Sequence, residues 1–167
     1  IDILDNDGRN ILFNPIKYNY IKVIDYILEY ENKNIGISIS DMQDNIGYNP
    51  IHYAVLFKNL DAIDMFIKYK RSFDNTDFEN NTTLHLAIKT KNIHVFNKII
   101  ENILDIDFQT IQGETALHLA CNFEQKQMAK ILIEKGADVN IQDCETQIIP
   151  FMYTILQNDY ETFYILI

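Results

Sequence analysis

The chain repeats a short motif at an even interval, and this periodicity limits the folds open to it. Asn-Pro-Ile-His at residues 49–52 is followed by Thr-Thr-Leu-His at 82–85 and by Thr-Ala-Leu-His at 115–118, so the three copies are equally spaced. A weaker copy, Ile-Pro-Phe-Met, follows at 149–152 after nearly the same interval, and Asn-Ile-Leu-Phe at 10–13 precedes the others by a somewhat longer one. A period of about 33 residues indicates an array of stacked units, here five of them.

Each strong copy of the motif carries the signals of a helix start. Asn49, Thr82 and Thr115 are residue types that cap helix N-termini, and Pro50 fits the first helical position, where a missing N–H loses no partner. Small side chains, which let this first helix lie close to its neighbours, follow at Ala54, Ala87 and Ala120.

A second helix and a turn complete each predicted unit. Apolar groups at residues 65–67, 99–100 and 131–133 predict a helix with one buried stripe, antiparallel to the first. Glycines fall at one repeat position, where a tight turn can require a positive φ angle: Gly8, Gly47 and Gly113. Because no single unit can cover its own apolar face, the core must come from stacking neighbouring units.

The fourth unit shows what kind of repeat this is. Gly-Glu-Thr-Ala-Leu-His-Leu-Ala-Cys at 113–121, followed by Met-Ala-Lys-Ile-Leu-Ile-Glu-Lys-Gly-Ala-Asp-Val-Asn at 128–140, strongly resembles the ankyrin repeat. The resemblance covers the whole chain and is closest in the three central units. It implies an all-α repeat solenoid of ankyrin helix-turn-helix pairs with projecting β-hairpin loops. We predict a single array over residues 1–167, with approximate repeats at 5–43, 44–76, 77–109, 110–142 and, incomplete, 143–167.

The pattern breaks at four places. Extra residues within the segment 29–43 predict a longer loop between the first two units. Lys98 stands where the adjacent units have Met65 and Ile131, so we expect it either to turn outward or to bury its stem and extend its ammonium group to solvent. The fifth unit lacks the capping residue and the histidine. Residues 1–5 resemble residues 139–143, and the last residues are an uncapped apolar helix, so we expect further chain on both sides.

Composition argues against several classes of partner. Lys plus Arg number 14 and Asp plus Glu number 24, a net charge of −10 that would repel nucleic acid and an anionic membrane. The longest largely apolar run, residues 148–156, is far shorter than the roughly 18 residues that a membrane span needs. Two cysteines are too few for a disulfide scaffold, which favours a reducing, cytoplasmic setting.

Candidate chemical groups are few, and each has a structural interpretation. His52, His85 and His118 lie one repeat apart, whereas zinc needs its ligands around one point, so we expect each imidazole to hydrogen-bond hairpin backbone. Cys121 is predicted to be a core residue, whereas Cys144 lies in a hairpin and is either a reactive thiol or, the interpretation we favour, one without a chemical role. We find no catalytic constellation and predict no enzyme activity, cofactor or metal. The resemblance also leaves open hydroxylation at Asn140, with equivalent positions at Asp2, Asp74 and Asp107.

The candidate functional residues are those that the fold does not need. The resemblance implies a concave groove lined by the hairpin tips and the exposed edge of each first helix. We predict partner binding by Tyr18, Ile46, Tyr48, Leu56, Phe57, Phe78, Glu79, Ile111, Gln112, Glu114 and Phe123. Further groove positions are Asn45, Asn81, Lys89, Thr90, Asn122, Leu156 and Gln157. Tyr18, Phe57 and Phe123 would form a ladder of aromatic anchors, the residue type that supplies most interface energy.

Two functions remain open at this point. The first is a non-catalytic scaffold that binds a protein or peptide, and the acidity of the chain favours a partner with a basic segment. The second is a regulatory or substrate-recruiting region of a larger enzyme, since the resemblance extends to repeats found beside protein acyltransferase, kinase and ubiquitin-ligase-recruiting domains.

Overall fold

Ten α-helices, arranged as five consecutive pairs, are found in the part of the chain that the structure describes. The computed structural model describes residues 4–34, 36 and 38–166. In chain order the helices are α1 (Phe13–Lys17), α2 (Ile21–Lys33), α3 (Pro50–Leu56), α4 (Leu60–Lys68), α5 (Thr83–Lys89), α6 (Ile93–Ile100), α7 (Ala116–Asn122), α8 (Lys126–Glu134), α9 (Pro150–Leu156) and α10 (Tyr160–Leu166). The predicted all-α repeat solenoid is confirmed. Asp2, and with it part of the match between residues 1–5 and 139–143, lies outside the described residues.

The first helix of each central unit begins where the motif predicts. The Asn49 side chain accepts a hydrogen bond from the His52 N–H at 3.0 Å, and Pro50 occupies the first turn of α3. Thr115 accepts from the His118 N–H in the same way before α7, and Thr82 stands at the same position before α5, where its hydroxyl lies 2.8 Å from the His85 Nδ1. In the fifth unit Ile149 precedes α9 without any side-chain cap.

The helices stack in two rows, and the core lies between and within them. The first helices pack in the order α1, α3, α5, α7, α9, and the second helices pack alongside from α2 to α10. One position of the first helix is fully buried in four successive units, at Ile16, Val55, Ile88 and Cys121. Burying an isoleucine or valine contributes roughly 1.5–3 kcal/mol, so this repeated position helps to stabilise each of these units.

The connections between units are tight turns rather than long hairpin strands. In the described residues no extended strand forms, and Thr76 and Thr82 make one isolated antiparallel bridge. The tip of a hairpin donates a backbone hydrogen bond to the tip before it at three junctions. These bonds are Asn45 N–H to Asp7 O at 3.0 Å, Ile111 N–H to Glu79 O at 3.0 Å and Cys144 N–H to Gln112 O at 2.8 Å.

The junction between the second and third hairpins is different. Within the described residues no backbone bond joins these two tips. Phe78 packs directly against Gly47, and the Gln43 side-chain amide donates to the Thr76 carbonyl at 2.6 Å. The second and third units are therefore linked at the hairpins by side-chain contacts.

The insertion between the first and second units does not form only a loop, so this prediction was partly wrong. Helix α2 continues to Lys33 and has 13 residues, against 9 in α4 and 8 in α6. The 3₁₀ helix Ile39–Asp41 then leads into the second hairpin. Residues that were predicted to be loop thus extend the helix by about one turn.

A buried carboxylate explains why the inserted segment folds back onto α2. Glu31 in the added turn is buried and accepts hydrogen bonds from the Ser40 backbone N–H at 3.3 Å and from the Ser40 hydroxyl at 2.8 Å. The Arg71 guanidinium of the next unit lies 3.6 Å from the other carboxylate oxygen. A buried charge needs such partners, and Glu31 therefore fixes the insertion to two units at once.

Lys98 behaves as predicted from its place in the repeat. Its side chain is about one-third exposed and forms an ion pair with Asp64 of the preceding unit. The apolar stem thus covers the α4–α6 contact while the ammonium group stays in solvent.

Candidate protein-binding surface

The three repeated histidines hold the hairpins against the first helices, as predicted. Each Nδ1 accepts the backbone N–H of the capping residue, at 3.0 Å for His52, 3.2 Å for His85 and 3.0 Å for His118. Each Nε2 therefore carries the proton and donates it to a hairpin carbonyl: Asn75 O at 3.0 Å, Glu114 O at 3.2 Å and Ile148 O at 3.0 Å, respectively. These imidazoles are structural, and His94 is solvent-exposed.

Burial keeps these imidazoles neutral. It lowers the pKa of His85 to about 4, and it lowers the pKa of His52 and His118 as well. Among the described residues, no group of histidine, cysteine and acidic side chains is placed to hold a metal ion.

Hairpin tips and first-helix edges form one continuous surface. The Arg9 guanidinium of the first hairpin lies 4.0 Å from the ring centre of Phe13 in α1. Tyr48 of the second hairpin contacts the Tyr53 ring of α3 edge-on at 5.7 Å, and Lys89 of α5 donates to the Asn81 side chain at 2.7 Å. A partner on this surface would touch both kinds of element.

Most of the predicted partner-binding residues are accessible. Tyr18, Ile46, Phe78 and Ile111 leave 56–61% of their surface exposed, and Phe57 leaves 39% exposed. The remaining members are exposed at Glu79 and Gln112 and half-buried at Tyr48, Leu56, Glu114 and Phe123.

On this surface, aromatic rings of the first two units pack against one another. Phe57 stacks on Tyr53 with ring centres 5.7 Å apart, and Phe13 meets both rings edge-on at 4.7 Å from Tyr53 and 5.7 Å from Phe57. Such contacts fix ring positions before any partner arrives. We call the surface formed by Phe13, Tyr18, Tyr48, Tyr53 and Phe57 the aromatic shelf.

The three predicted ladder residues are not in contact with one another in the described structure. Tyr18 packs near Tyr20 at 6.0 Å, whereas Phe123 lies beneath the Lys91 ammonium at 5.4 Å from its ring centre. Thr90 occupies the corresponding place in the third unit and interrupts the row. The structure thus separates a shelf in units one and two from a single ring in unit four.

Phe13 and Tyr53 belong to the shelf but were not predicted. Phe13 stands in place of the repeated histidine. Tyr53 lies four residues before Phe57, which puts Tyr53 and Phe57 on one face of the same helix. That spacing was the available signal. Tyr53 was missed because the residues at its position in the next two units, Leu86 and Leu119, are buried parts of the repeat pattern.

Carboxylates surround two tyrosines of this surface. Burial raises the pKa of Tyr48 most, and the negative charges of Asp77, Glu79 and Asp44 raise it further. Burial, followed by Glu114, Asp143 and Glu145, raises the pKa of Tyr153 to about 12. The first acidic group borders the shelf, and the second lies at the fourth and fifth hairpins.

The two cysteines differ in accessibility. Cys121 is fully buried in α7, and burial raises the pKa of its thiol to about 12, whereas Cys144 is exposed at the fifth hairpin. Since the thiolate is the reactive form, we expect one equivalent of a thiol reagent to react rapidly with the folded chain at pH 8. The second equivalent should react only in denaturant. A Cys144→Ser variant that still labels rapidly would contradict this assignment.

The described residues contain no helix that is long and apolar enough to cross a membrane.

Comparison with known proteins agrees with this geometry. A family model described as ankyrin repeats, three copies, matches residues 36–109 and 70–143. The putative ankyrin repeat protein L371 of Acanthamoeba polyphaga mimivirus is 33% identical over 81 residues, which are 48% of this chain and 10% of that protein. This chain therefore spans about a tenth of that relative's length.

A solved structure extends the similarity to almost the whole fold. The ankyrin repeat domain of Bcl-3, described as a unique member of the IkappaB protein family, superimposes with a TM-score of 0.87 over 96% of this chain and 72% of that one, at 21% sequence identity. The family model alone covers more than half of the chain. The chain belongs to the ankyrin repeat family.

Proposed function

We propose that this chain is a non-catalytic protein-binding region whose partner docks on the hairpin tips and first-helix edges. Ankyrin repeats are generally protein–protein interaction modules. The observation that carries the proposal is the aromatic shelf, where the exposed Phe57 ring is stacked on Tyr53 and met edge-on by Phe13. Preorganised aromatic side chains bind at low entropic cost.

The side chains on this surface favour partner binding over catalysis. The buried histidines and the buried hairpin carboxylates of Asp44, Asp77 and Asp143 are engaged in structural hydrogen bonds. Asp44, for example, accepts the N–H groups of Ile46 and Tyr48 at 3.0 and 2.8 Å. The proposed binding residues are the eleven predicted from the sequence, together with the half-buried Tyr53, while the buried Phe13 holds the Tyr53 and Phe57 rings.

Substitution of the anchors tests the proposal. Capture of partner proteins by the immobilised chain is compared with capture by Phe57→Ser, Phe123→Ser and the double variant. Loss of one anchor costs roughly 2 kcal/mol, or about 30-fold in Kd, so a specific partner should be largely lost. Tyr26→Ser is the matched control, because Tyr26 is 70% exposed on α2, away from the hairpins and first helices.

The outcome is decisive if all variants keep the helical circular dichroism of the parent chain. Partners lost with the anchor variants and kept with Tyr26→Ser would support the proposed surface. Partners captured equally by every variant would contradict it.

A further inference from the structure

The binding surface is chemically different at its two ends. Cations of the chain itself lie over two rings of the aromatic shelf in units one and two. Arg9 covers Phe13 at 4.0 Å, and the Lys17 ammonium lies 5.5 Å from the Tyr18 ring centre. These two rings already carry a cation of the chain itself, and Asp5 and Asp7 pair with Arg9, so the shelf suits apolar side chains of a partner.

The hairpins of units three to five present carboxylates instead. Glu79 and Glu145 are exposed, and Glu114 is half-buried. In the described part of the chain, no lysine or arginine lies within ion-pair distance of these three carboxylates, although ion pairs form elsewhere. Lys89 is the cation that acts on Glu114 electrostatically, and its ammonium is bonded to Asn81.

Glu114 in particular favours a cationic partner. Burial raises its pKa, Lys89 lowers it in part, and the nearby Asp143 and Glu145 raise it. Because Glu114 is half-buried and no ion pair to it is found in the described residues, its charge is only partly compensated. A lysine or arginine placed beside it would restore that compensation and bind with a charge-assisted hydrogen bond.

We infer that the partner is a peptide segment that lies along the surface in one direction, with apolar side chains on the aromatic shelf and a basic residue beside Glu114. The inference rests on the proposed function and deepens it. Phe57 and Glu114 are separated by two helix-to-helix steps, α3 to α5 and α5 to α7. At about 8–10 Å per step and about 3.3 Å per extended residue, the apolar and basic positions lie roughly five or six residues apart.

The probe for this inference is a displayed library of random 12-residue peptides, selected on the immobilised 167-residue chain at low salt. Enriched peptides should carry an aromatic or aliphatic residue and, about five or six positions away, lysine or arginine in one constant order. For a labelled synthetic copy, fluorescence anisotropy should show at least tenfold weaker binding to Glu114→Lys and weaker binding to Phe57→Ser. Glu114→Gln, a milder change, should weaken binding less, and Tyr26→Ser should leave it unchanged.

Direction is measured separately with a nitroxide label at either end of the peptide. A label at the basic end should broaden amide signals around Glu114 and Ile111, and a label at the apolar end should broaden those around Tyr18 and Phe57. Enriched peptides without basic residues, an unchanged Kd for Glu114→Lys, or the opposite orientation would overturn the inference. If Phe57→Ser still weakened those peptides, the proposed function would stand. Peptides insensitive to both Phe57→Ser and Phe123→Ser, or no enrichment at all, would count against both.

Discussion

Replacing Gly47 by alanine should lower the free energy of unfolding by about 3 kcal/mol. Gly47 has a φ of +87°, and an added Cβ would lie 2.5 Å from the Phe78 backbone nitrogen and 2.7 Å from its ring. The substituted residue is strained by its backbone conformation and also pushes the third hairpin away from the second. Urea unfolding followed by circular dichroism measures the loss.

Gly136→Ala is the matched control for this experiment. Gly136 has a similar φ of +92°, but an added Cβ would meet no atom within 4 Å. It therefore isolates the backbone strain, which costs about 1–2 kcal/mol. Equal losses in the two variants would show that hairpin contact at Gly47 contributes nothing.

Acidification from pH 7 to pH 5 should destabilise the fold through its buried histidines. The pKa of His85 is about 4 in the folded chain and about 6.5 when unfolded. Between these values the unfolded state binds a proton that the folded state does not. The stabilisation is therefore complete above pH 6.5 and is lost as the pH falls toward 4. His85 alone accounts for about 2 kcal/mol between pH 7 and pH 5, and His52 and His118 add to it in the same direction.

A glutamine at position 85 separates titration from packing. Glutamine after a threonine cap can still accept the cap N–H, but it does not titrate. Urea unfolding at pH 7, 6 and 5 should show a shallower pH dependence for His85→Gln than for the parent chain. His94→Gln, at an exposed site, should keep the full dependence. A parent chain with equal stability at pH 7 and pH 5 would refute this explanation.

The fold was predictable because its signals are local and repeated. Asn49, Thr82 and Thr115 cap helices where the motif places them, and the even spacing of the motif sets the stacking of one unit on the next. Every unit packs against its neighbours in the same way, so the fold can be predicted from the repeated local sequence without knowledge of long-range contacts.

The insertion and the aromatic shelf could be predicted only in part, because both depend on contacts across units. The turn added to α2 is stabilised by Glu31, whose partners Ser40 and Arg71 lie at unequal distances along the sequence and follow no period. Phe13 joins the shelf through rings of the next unit, Tyr53 and Phe57. The repeat boundaries and the eleven binding residues remain predictions.

The unequal junctions between hairpins have a mechanical consequence. When one link in a row of units is more flexible than the others, the row bends mainly at that link. Among the described residues, backbone hydrogen bonds join the first hairpin to the second, the third to the fourth and the fourth to the fifth. The second and third are linked instead by the Gln43 side-chain bond and by the contact of Phe78 with Gly47. The curvature of the repeat stack would therefore change first between Phe57 and Glu79. Such bending would lengthen or shorten the distance between the aromatic shelf and Glu114.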